Sequence, residues 1–157
     1  MSENFAKYVK RILNETNIPG EEHERLKEVL GNWAKGLGFS IGYASLPSGL
    51  RPDVLKSTSD KKYIFVGDAK DANNETVHNQ DTLSRISNYI LEYATLLTPN
   101  RHAGGIFAIA TNSAEAAVEW GKYLNIMTNI AKISGGQGLP PDYKVIKIDE
   151  KAWIVYW

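Results

Sequence analysis

Apolar residues recur along the chain with two periods, and these periods predict its helices and strands. Helical spacing predicts helices over about 3–13, 21–37 and 75–97 and a later one capped by Asn112 or Ser113. Short alternating or wholly apolar runs predict strands over 39–46, 50–56, 62–70 and 105–111 and a terminal hairpin over 143–148 and 153–156. The run 62–70 is apolar on both faces, which predicts a central strand. We therefore expect an α/β domain, a three-layer α/β/α sandwich with a central mixed sheet.

The second predicted helix, over 21–37, carries one apolar stripe. Its members are Leu26, Val29, Leu30, Trp33 and Leu37. A surface helix buries such a stripe against the core, and Gly38 ends this helix as a C-terminal glycine commonly does. Glu22 lies four residues before Leu26 and seven before Val29, so it extends the stripe. We therefore expect the Glu22 carboxylate to point toward the sheet.

Charged residues end two of the predicted strands. Asp53 belongs to the strand over 50–56, and Asp68 and Lys70 close the strand over 62–70. Because successive strand side chains alternate faces, Asp68 and Lys70 point the same way. An antiparallel hairpin of these strands places Asp53 opposite Asp68. Two directly opposed carboxylates repel each other and weaken a sheet, so the pattern predicts that they hold a cation.

The predicted site has the groups that metal-dependent phosphodiester hydrolysis requires. Asp53, Asp68 and the backbone carbonyl of Ala69 offer hard oxygen ligands of the kind that Mg²⁺ prefers. Lys70 can orient an attacking water and stabilise charge, and it can also take a proton if burial lowers its pKa. Glu22 can add a ligand directly or through water. The alternative is a solvated hairpin end at which Asp68 and Lys70 form only a surface ion pair.

Composition narrows the class of protein. The chain has 157 residues, which suits one domain over 1–157. Its 18 basic residues balance 18 acidic ones, so any contact with a polyanion must come from a local patch. The absence of cysteine excludes disulfides and thiolate metal sites. Without an apolar signal core or an apolar run of about 20 residues, we expect a cytoplasmic protein with no membrane partner.

These residues resemble the PD-(D/E)XK nuclease superfamily, whose members include restriction-endonuclease-like proteins. The likeness rests on Glu22, on Pro52-Asp53 and on Asp68-Ala69-Lys70, in which Asp68 replaces the more usual glutamate. It covers about 21–111, with the N-terminal helix and the C-terminal helix and hairpin as additions. The resemblance implies an αβββαβ core and a Mg²⁺-dependent endonuclease of DNA, for which Mn²⁺ can substitute. It also implies that Gln80 lies beside the lysine.

Several further residues are candidates for contacts with DNA. They are Arg51, Lys56, Lys62 and Arg85, the last of which lies one helical turn from Tyr89. Each can equally be an ordinary surface or boundary residue. Cleavage of both strands at one position requires two sites, which a homodimer through the C-terminal aromatic hairpin would supply. The alternative function is a catalytically inactive DNA-binding or assembly module on the same fold.

Overall fold

A computed structural model of the protein describes residues 20–98, 100–133 and 142–157. These contain three helices, α1 (Glu21–Gly36), α2 (Gln80–Leu96) and α3 (Ala114–Ile133). The strands are β1 (Ile41–Gly42), β2 (Val54–Ser57), β3 (Tyr63–Lys70), β4 (Gly104–Thr111), β5 (Lys144–Asp149) and β6 (Ala152–Tyr156). The element order predicted from residue 21 onward is confirmed. The helix predicted over 3–13 lies outside the described residues.

The strands form one mixed sheet in the spatial order β1-β2-β3-β4-β6-β5. β3 is central, as predicted, because it pairs antiparallel with β2 and parallel with β4. Ile64 and Val66 belong to the apolar cluster that α2 and α3 cover, whereas Phe65 and Ala69 belong to the cluster that α1 covers. A strand covered on both faces reads as a continuous apolar run. The sheet therefore lies between one helix and two helices.

The residues through which α1 packs against the sheet differ slightly from the predicted stripe. Its buried residues are Leu26, Leu30 and Ala34. Leu37, which we expected to be buried, is 48% exposed because the helix ends at Gly36. A Cβ on Gly67 would lie 2.9 Å from Cδ2 of Leu30 and 2.7 Å from Cε1 of Phe65. The missing side chain of Gly67 thus lets α1 approach β3 closely, beside the carboxyl end of that strand.

Two predicted boundaries differ from the structure. The strand predicted over 39–46 is reduced to the two residues of β1. The helix predicted from residue 75 begins at Gln80, because the chain first makes turns in which the N–H of Glu75 donates to the carbonyl of Asp71. Ser113 caps α3, since its Oγ accepts a hydrogen bond from the N–H of Ala116 at 3.2 Å. In the described ranges, no helix combines the length and apolar character that crossing a membrane demands.

Candidate metal site

The two predicted carboxylates meet at the end of the β2–β3 hairpin. Val54 pairs with Gly67, so Asp53 lies opposite Asp68, as predicted. The Asp53 N–H donates to Oδ1 of Asp68 at 2.9 Å, and the Ala69 N–H donates to Oδ2 of Asp53 at 2.9 Å. Each carboxylate is therefore fixed by the backbone of the opposite segment. We call Asp53 and Asp68 the carboxylate pair.

Lys70 lies beside the carboxylate pair, on the same face as Asp68. Its Nζ is 2.7 Å from Oδ2 of Asp68 and 3.2 Å from Oε2 of Glu75. Asp68 is 4% exposed and Lys70 is 2% exposed. The alternative of a solvated surface ion pair is therefore wrong, because both charges are buried. Two buried charges are costly to desolvate, so their pairing alone is weak evidence that they stabilise the fold. A function at this site is therefore a better reason for their burial.

Burial and charge give the groups of this site different pKa values. Burial raises the pKa of Asp68 to about 6, although Lys70 opposes that rise. Burial also acts to raise the pKa of Asp53, but hydrogen bonds from Ala69 and contacts with Asp68 and His23 outweigh it and lower that pKa. Burial acts to lower the pKa of Lys70, but Asp68 and Glu75 outweigh it and raise that pKa. Lys70 therefore stays protonated at neutral pH and does not act as a proton acceptor in this arrangement.

His23 of α1 completes the site, and the sequence had not indicated it. Its Nε2 lies 3.1 Å from Oδ2 of Asp53, and its Nδ1 lies 3.4 Å from Oε1 of Glu75. Burial acts to lower the pKa of His23, but the two carboxylates outweigh it and raise that pKa. His23 lies three residues before Leu26 and seven before Leu30, which was the available signal for its position on the buried stripe.

Glu22 reaches the end of the sheet, as expected, but it contacts Asn112 after β4 and not the carboxylate pair. Its carboxylate accepts hydrogen bonds from Arg25 at 3.0 and 3.1 Å and from Nδ2 of Asn112 at 3.2 Å. The bond from Arg25 is the main cause that lowers the pKa of Glu22. Because Leu26 and Leu30 face the sheet, the neighbouring His23 takes the position beside Asp53. Only a contact through water would connect Glu22 to a cation there.

Glu75 and Asn112 are two further residues that sequence reasoning missed. Oε1 of Glu75 accepts the N–H of Asp71 at 3.3 Å, which turns the Glu75 carboxylate back toward Lys70. Oδ1 of Asn112 accepts the N–H of Ala72 at 2.8 Å, and Nδ2 of Asn112 donates to Oδ1 of Asp71 at 3.0 Å. Asn112 thus connects the end of β4 to the loop that carries Glu75. The helix predicted over 75–97 includes Glu75, whereas the helix begins at Gln80, so helical spacing gives no signal for the position of Glu75 beside Lys70.

The candidates on α2 do not join the site directly. Gln80 is exposed at the first residue of α2, and it makes no hydrogen bond to Lys70 or the carboxylate pair among the described residues. Arg85 is exposed. Tyr89 is buried in the main apolar cluster, so its ring is not available to stack on a base. Burial raises the pKa of Tyr89.

The basic candidates on the hairpin lie at different distances from the site. Arg51 and Lys56 line a cleft that also includes Asp53. Lys62 precedes β3 at the hairpin tip, six residues before Asp68, which corresponds to about 20 Å along an extended strand. Lys62 is therefore at the wrong end of the hairpin to contact a phosphate held near Asp68. Lys62 is far from the site because the tip of the hairpin and the carboxylate pair lie at opposite ends of the two strands.

Within the described ranges, no three histidine, aspartate or glutamate side chains converge in a geometry suited to a metal ion. A site built from two carboxylates and a backbone carbonyl falls outside such a pattern.

Comparison of the chain with protein-family models, with curated proteins and with solved structures finds no significant match. The chemistry of the site is therefore the basis for a function.

Proposed function

We propose that the protein is a metal-dependent endonuclease that hydrolyses phosphodiester bonds in DNA, with a restriction-endonuclease-like core of the PD-(D/E)XK type. The observation that carries the proposal is the carboxylate pair, held in opposition by backbone hydrogen bonds and touched by the buried Lys70. Opposed carboxylates at a buried strand end are unfavourable unless a cation or a proton relieves them. Two carboxylates that oppose each other in this way are expected where they bind a metal ion for a reaction.

The donor groups fit Mg²⁺, and Mn²⁺ as its substitute. Asp53, Asp68 and the carbonyl of Ala69 are all hard oxygen donors. The hydrogen bonds that the two carboxylates accept leave further lone pairs on their oxygens. Both carboxylates, with the carbonyl of Ala69, would hold the ion, and Glu22 would contribute through water. A bound divalent ion supplies Lewis acidity and lowers the pKa of a bound water.

The local charge also favours a cation. Three carboxylates, those of Asp53, Asp68 and Glu75, surround two basic groups, Lys70 and His23. The cluster is therefore acidic even when His23 is protonated, although the whole chain has no net charge. An acidic pocket with buried walls concentrates cations. A phosphate placed directly against the carboxylate pair would be repelled unless a cation is bound there first.

Lys70 would act as a charged positioning group and as a stabiliser of the transition state. Its protonated Nζ can donate to an attacking water and to a phosphate oxygen on which negative charge develops. Glu75 would fix the Lys70 side chain, because its Oε2 lies 3.2 Å from Nζ. His23 would orient Asp53 in the same way across a distance of 3.1 Å. Both are assigned as positioning residues.

A cleavage assay tests the proposal. The purified protein is incubated with plasmid, single-stranded and branched DNA and with RNA, in Mg²⁺, in Mn²⁺ and in EDTA. We expect DNA cleavage that requires the metal and disappears in Asp53→Asn, a change that removes one ligand charge and keeps the side-chain shape. Absence of cleavage in every condition, together with no Mg²⁺ or Mn²⁺ binding by calorimetry, would refute the proposal.

One observation favours a second function. Lys70 already neutralises Asp68 and contacts Glu75, and such a paired network also fits a non-catalytic DNA-binding or assembly module on the same fold. DNA binding by the unmodified protein without metal-dependent turnover would select this function. In that case Asp53→Asn would bind DNA at least as well as the unmodified protein, because it removes a negative charge.

The expected homodimer has a surface that suits it. β5 is the edge strand of the sheet and exposes Val145, Ile146 and Ile148. An exposed apolar edge pairs readily with another strand. In antiparallel pairing of two copies, Lys144 of each copy would lie opposite Asp149 of the other. Size-exclusion chromatography with light scattering should then show a dimer, and a monomer mass at assay concentrations would contradict it.

A further inference from the structure

A cleft of about 690 Å³ opens beside Asp53, between one face of α1 and the segment 51–56. We propose that this cleft binds one unpaired nucleotide of a DNA strand, next to the bond that is cleaved. The inference rests on the proposed function for the identity of the strand. To the proposed nuclease, this cleft adds a subsite for one nucleotide and a preference for single-stranded or locally opened DNA.

The walls of the cleft leave room that the protein itself does not fill. Gly31 in the interior of α1 and Gly42 in β1 both line it, and a Cβ on either would meet nothing within 4 Å. Glycine inside a helix is less favourable than alanine, and no packing contact in the described chain requires it at Gly31. The volume lies in the range of about 300–1,000 Å³ that is typical of small-ligand sites. Such a cleft suits one nucleotide, so a base must leave the stack to enter it.

Basic side chains offer contacts for the phosphate. Lys27, Arg51 and Lys56 line the cleft, and none of them forms an ion pair with another described residue. Unpaired cations along a groove are what a nucleic-acid backbone contacts. Arg25 differs, because Glu22 and the carbonyl of Lys151 already bind it.

The rest of the lining suits a base. Pro52 and Val54 give the cleft buried apolar walls, whereas the Tyr43 ring packs against the main apolar cluster and lies 5.7 Å from the His102 ring. The carboxylates of Glu24 and Glu28 lie on the α1 wall, and they can accept hydrogen bonds from exocyclic amino groups, as carboxylates do with cytosine. They would also repel the phosphate, which directs it toward the basic side chains.

Fluorescence anisotropy without divalent cations measures this binding separately from cleavage. Labelled single-stranded DNA is compared with its duplex and with the same strand as RNA, for the unmodified protein, Gly31→Leu and Gly36→Leu. Gly36 is a matched control, because it lies in the same helix, outside the cleft, with nothing within 4 Å of a Cβ. We expect Gly31→Leu to weaken single-strand binding about tenfold, because the leucine side chain occupies open space that the nucleotide would take. Gly36→Leu should bind like the unmodified protein.

A second variant keeps the test decisive if Gly31→Leu folds poorly by circular dichroism. The exposed Glu28 is changed to glutamine, Glu28→Gln, and binding of oligo-dC is compared with binding of oligo-dT. We expect the unmodified protein to prefer oligo-dC and the variant to lose that preference. Equal affinity for both in the unmodified protein, equal binding of strand and duplex, tighter binding of RNA, or unchanged binding by a folded Gly31→Leu would each overturn the inference.

The two proposals fail in different ways. Cleavage that requires Mg²⁺, together with unaltered binding by folded Gly31→Leu, overturns the cleft and leaves the nuclease. Absence of cleavage, together with the expected loss of binding in Gly31→Leu but not in Gly36→Leu, overturns hydrolysis and supports the cleft as a site for a DNA nucleotide.

Discussion

Replacing Lys70 by methionine should destabilise the protein by an amount that depends on pH. Lys70→Met keeps most of the buried volume but removes the charge 2.7 Å from Asp68. Lys70 is the chief group that lowers the pKa of Asp68, while burial and Asp53 raise it. In the variant burial and Asp53 act without opposition from Lys70, although the Asp53 N–H still donates to Oδ1 of Asp68. We therefore expect Asp68 to stay protonated in the folded variant well above pH 7.

The magnitude follows from linkage between protonation and folding. Each pH unit above a carboxyl pKa stabilises the ionised form by about 1.4 kcal/mol. Asp68 has an ordinary pKa of 3.8 when unfolded and one of about 6 when folded. Its raised pKa therefore lowers the free energy of unfolding by about 3 kcal/mol at pH 7, and this loss develops as pH rises from 3.8 to about 6.

In the variant the loss continues to grow above pH 6, because the folded Asp68 no longer ionises there. Lys70→Met should thus lower the free energy of unfolding, through Asp68, by up to about 1 kcal/mol more at pH 7 and up to about 3 kcal/mol more at pH 8, and by almost nothing more at pH 5. The lost packing and the lost contact with Glu75 lower the free energy of unfolding as well, by the same amount at each of these pH values.

Urea unfolding followed by tryptophan fluorescence at pH 5, 6, 7 and 8 measures the effect. The same change made in an Asp68→Asn background should lose its pH dependence, since the titrating group is gone. Lys147→Met is an exposed control, because Nζ of Lys147 lies 3.4 Å from the exposed Glu150 carboxylate and 5.7 Å from the centre of the Trp153 ring, away from the buried site. An equal loss of stability at pH 5 and pH 8, or a slope that persists with Asp68→Asn, would refute the reasoning.

Three other outcomes follow from the same contacts. Gly67→Ala should lower the free energy of unfolding by about 1–3 kcal/mol, because the new Cβ overpacks the α1–β3 contact; an unchanged urea midpoint would contradict that packing. Lys56→Ala should weaken DNA binding in anisotropy, whereas Lys62→Ala, at the far end of the hairpin, should not; equal effects would mean that DNA follows the whole hairpin. Mg²⁺ at a hundred times its Kd should raise the free energy of unfolding by about 2.7 kcal/mol at pH 7.5. That gain should fall below pH 6, where a proton competes for Asp68; a gain independent of pH would exclude Asp68 as a ligand.

The hairpin that carries the carboxylate pair could be predicted because its rules are local. The period of two fixes which side chains share a face, and the turn fixes the register, so Asp53, Asp68 and Lys70 were placed correctly. The same geometry already puts Lys62 at the other end from Asp68. The charge of Lys62 predicted a contact with DNA, but the length of β3 separates Lys62 from the carboxylate pair.

Glu75 could not be placed by such local rules. Periodicity extended the helix that begins at Gln80 back to residue 75, since nothing in the apolar spacing separates a first helical turn from the turns before it. The true boundary depends on Asn112, which holds the intervening loop through Ala72 and Asp71 across 40 and 41 residues of chain. A contact between segments so distant in sequence has no signal in the spacing of either one.

The exchange of Glu22 for His23 depends on the rotation of one helix about its axis. Adjacent residues of an α-helix differ by about 100°, so a stripe read from Leu26 alone admits either residue at its N-terminal end. The sheet decides between them, because Gly67 leaves space for Leu30 to seat against β3 and thereby turns His23 toward Asp53. That space is a property of a different segment from the helix. Helical periodicity therefore predicts that α1 reaches the site, but the packing partner determines which of its side chains arrives there.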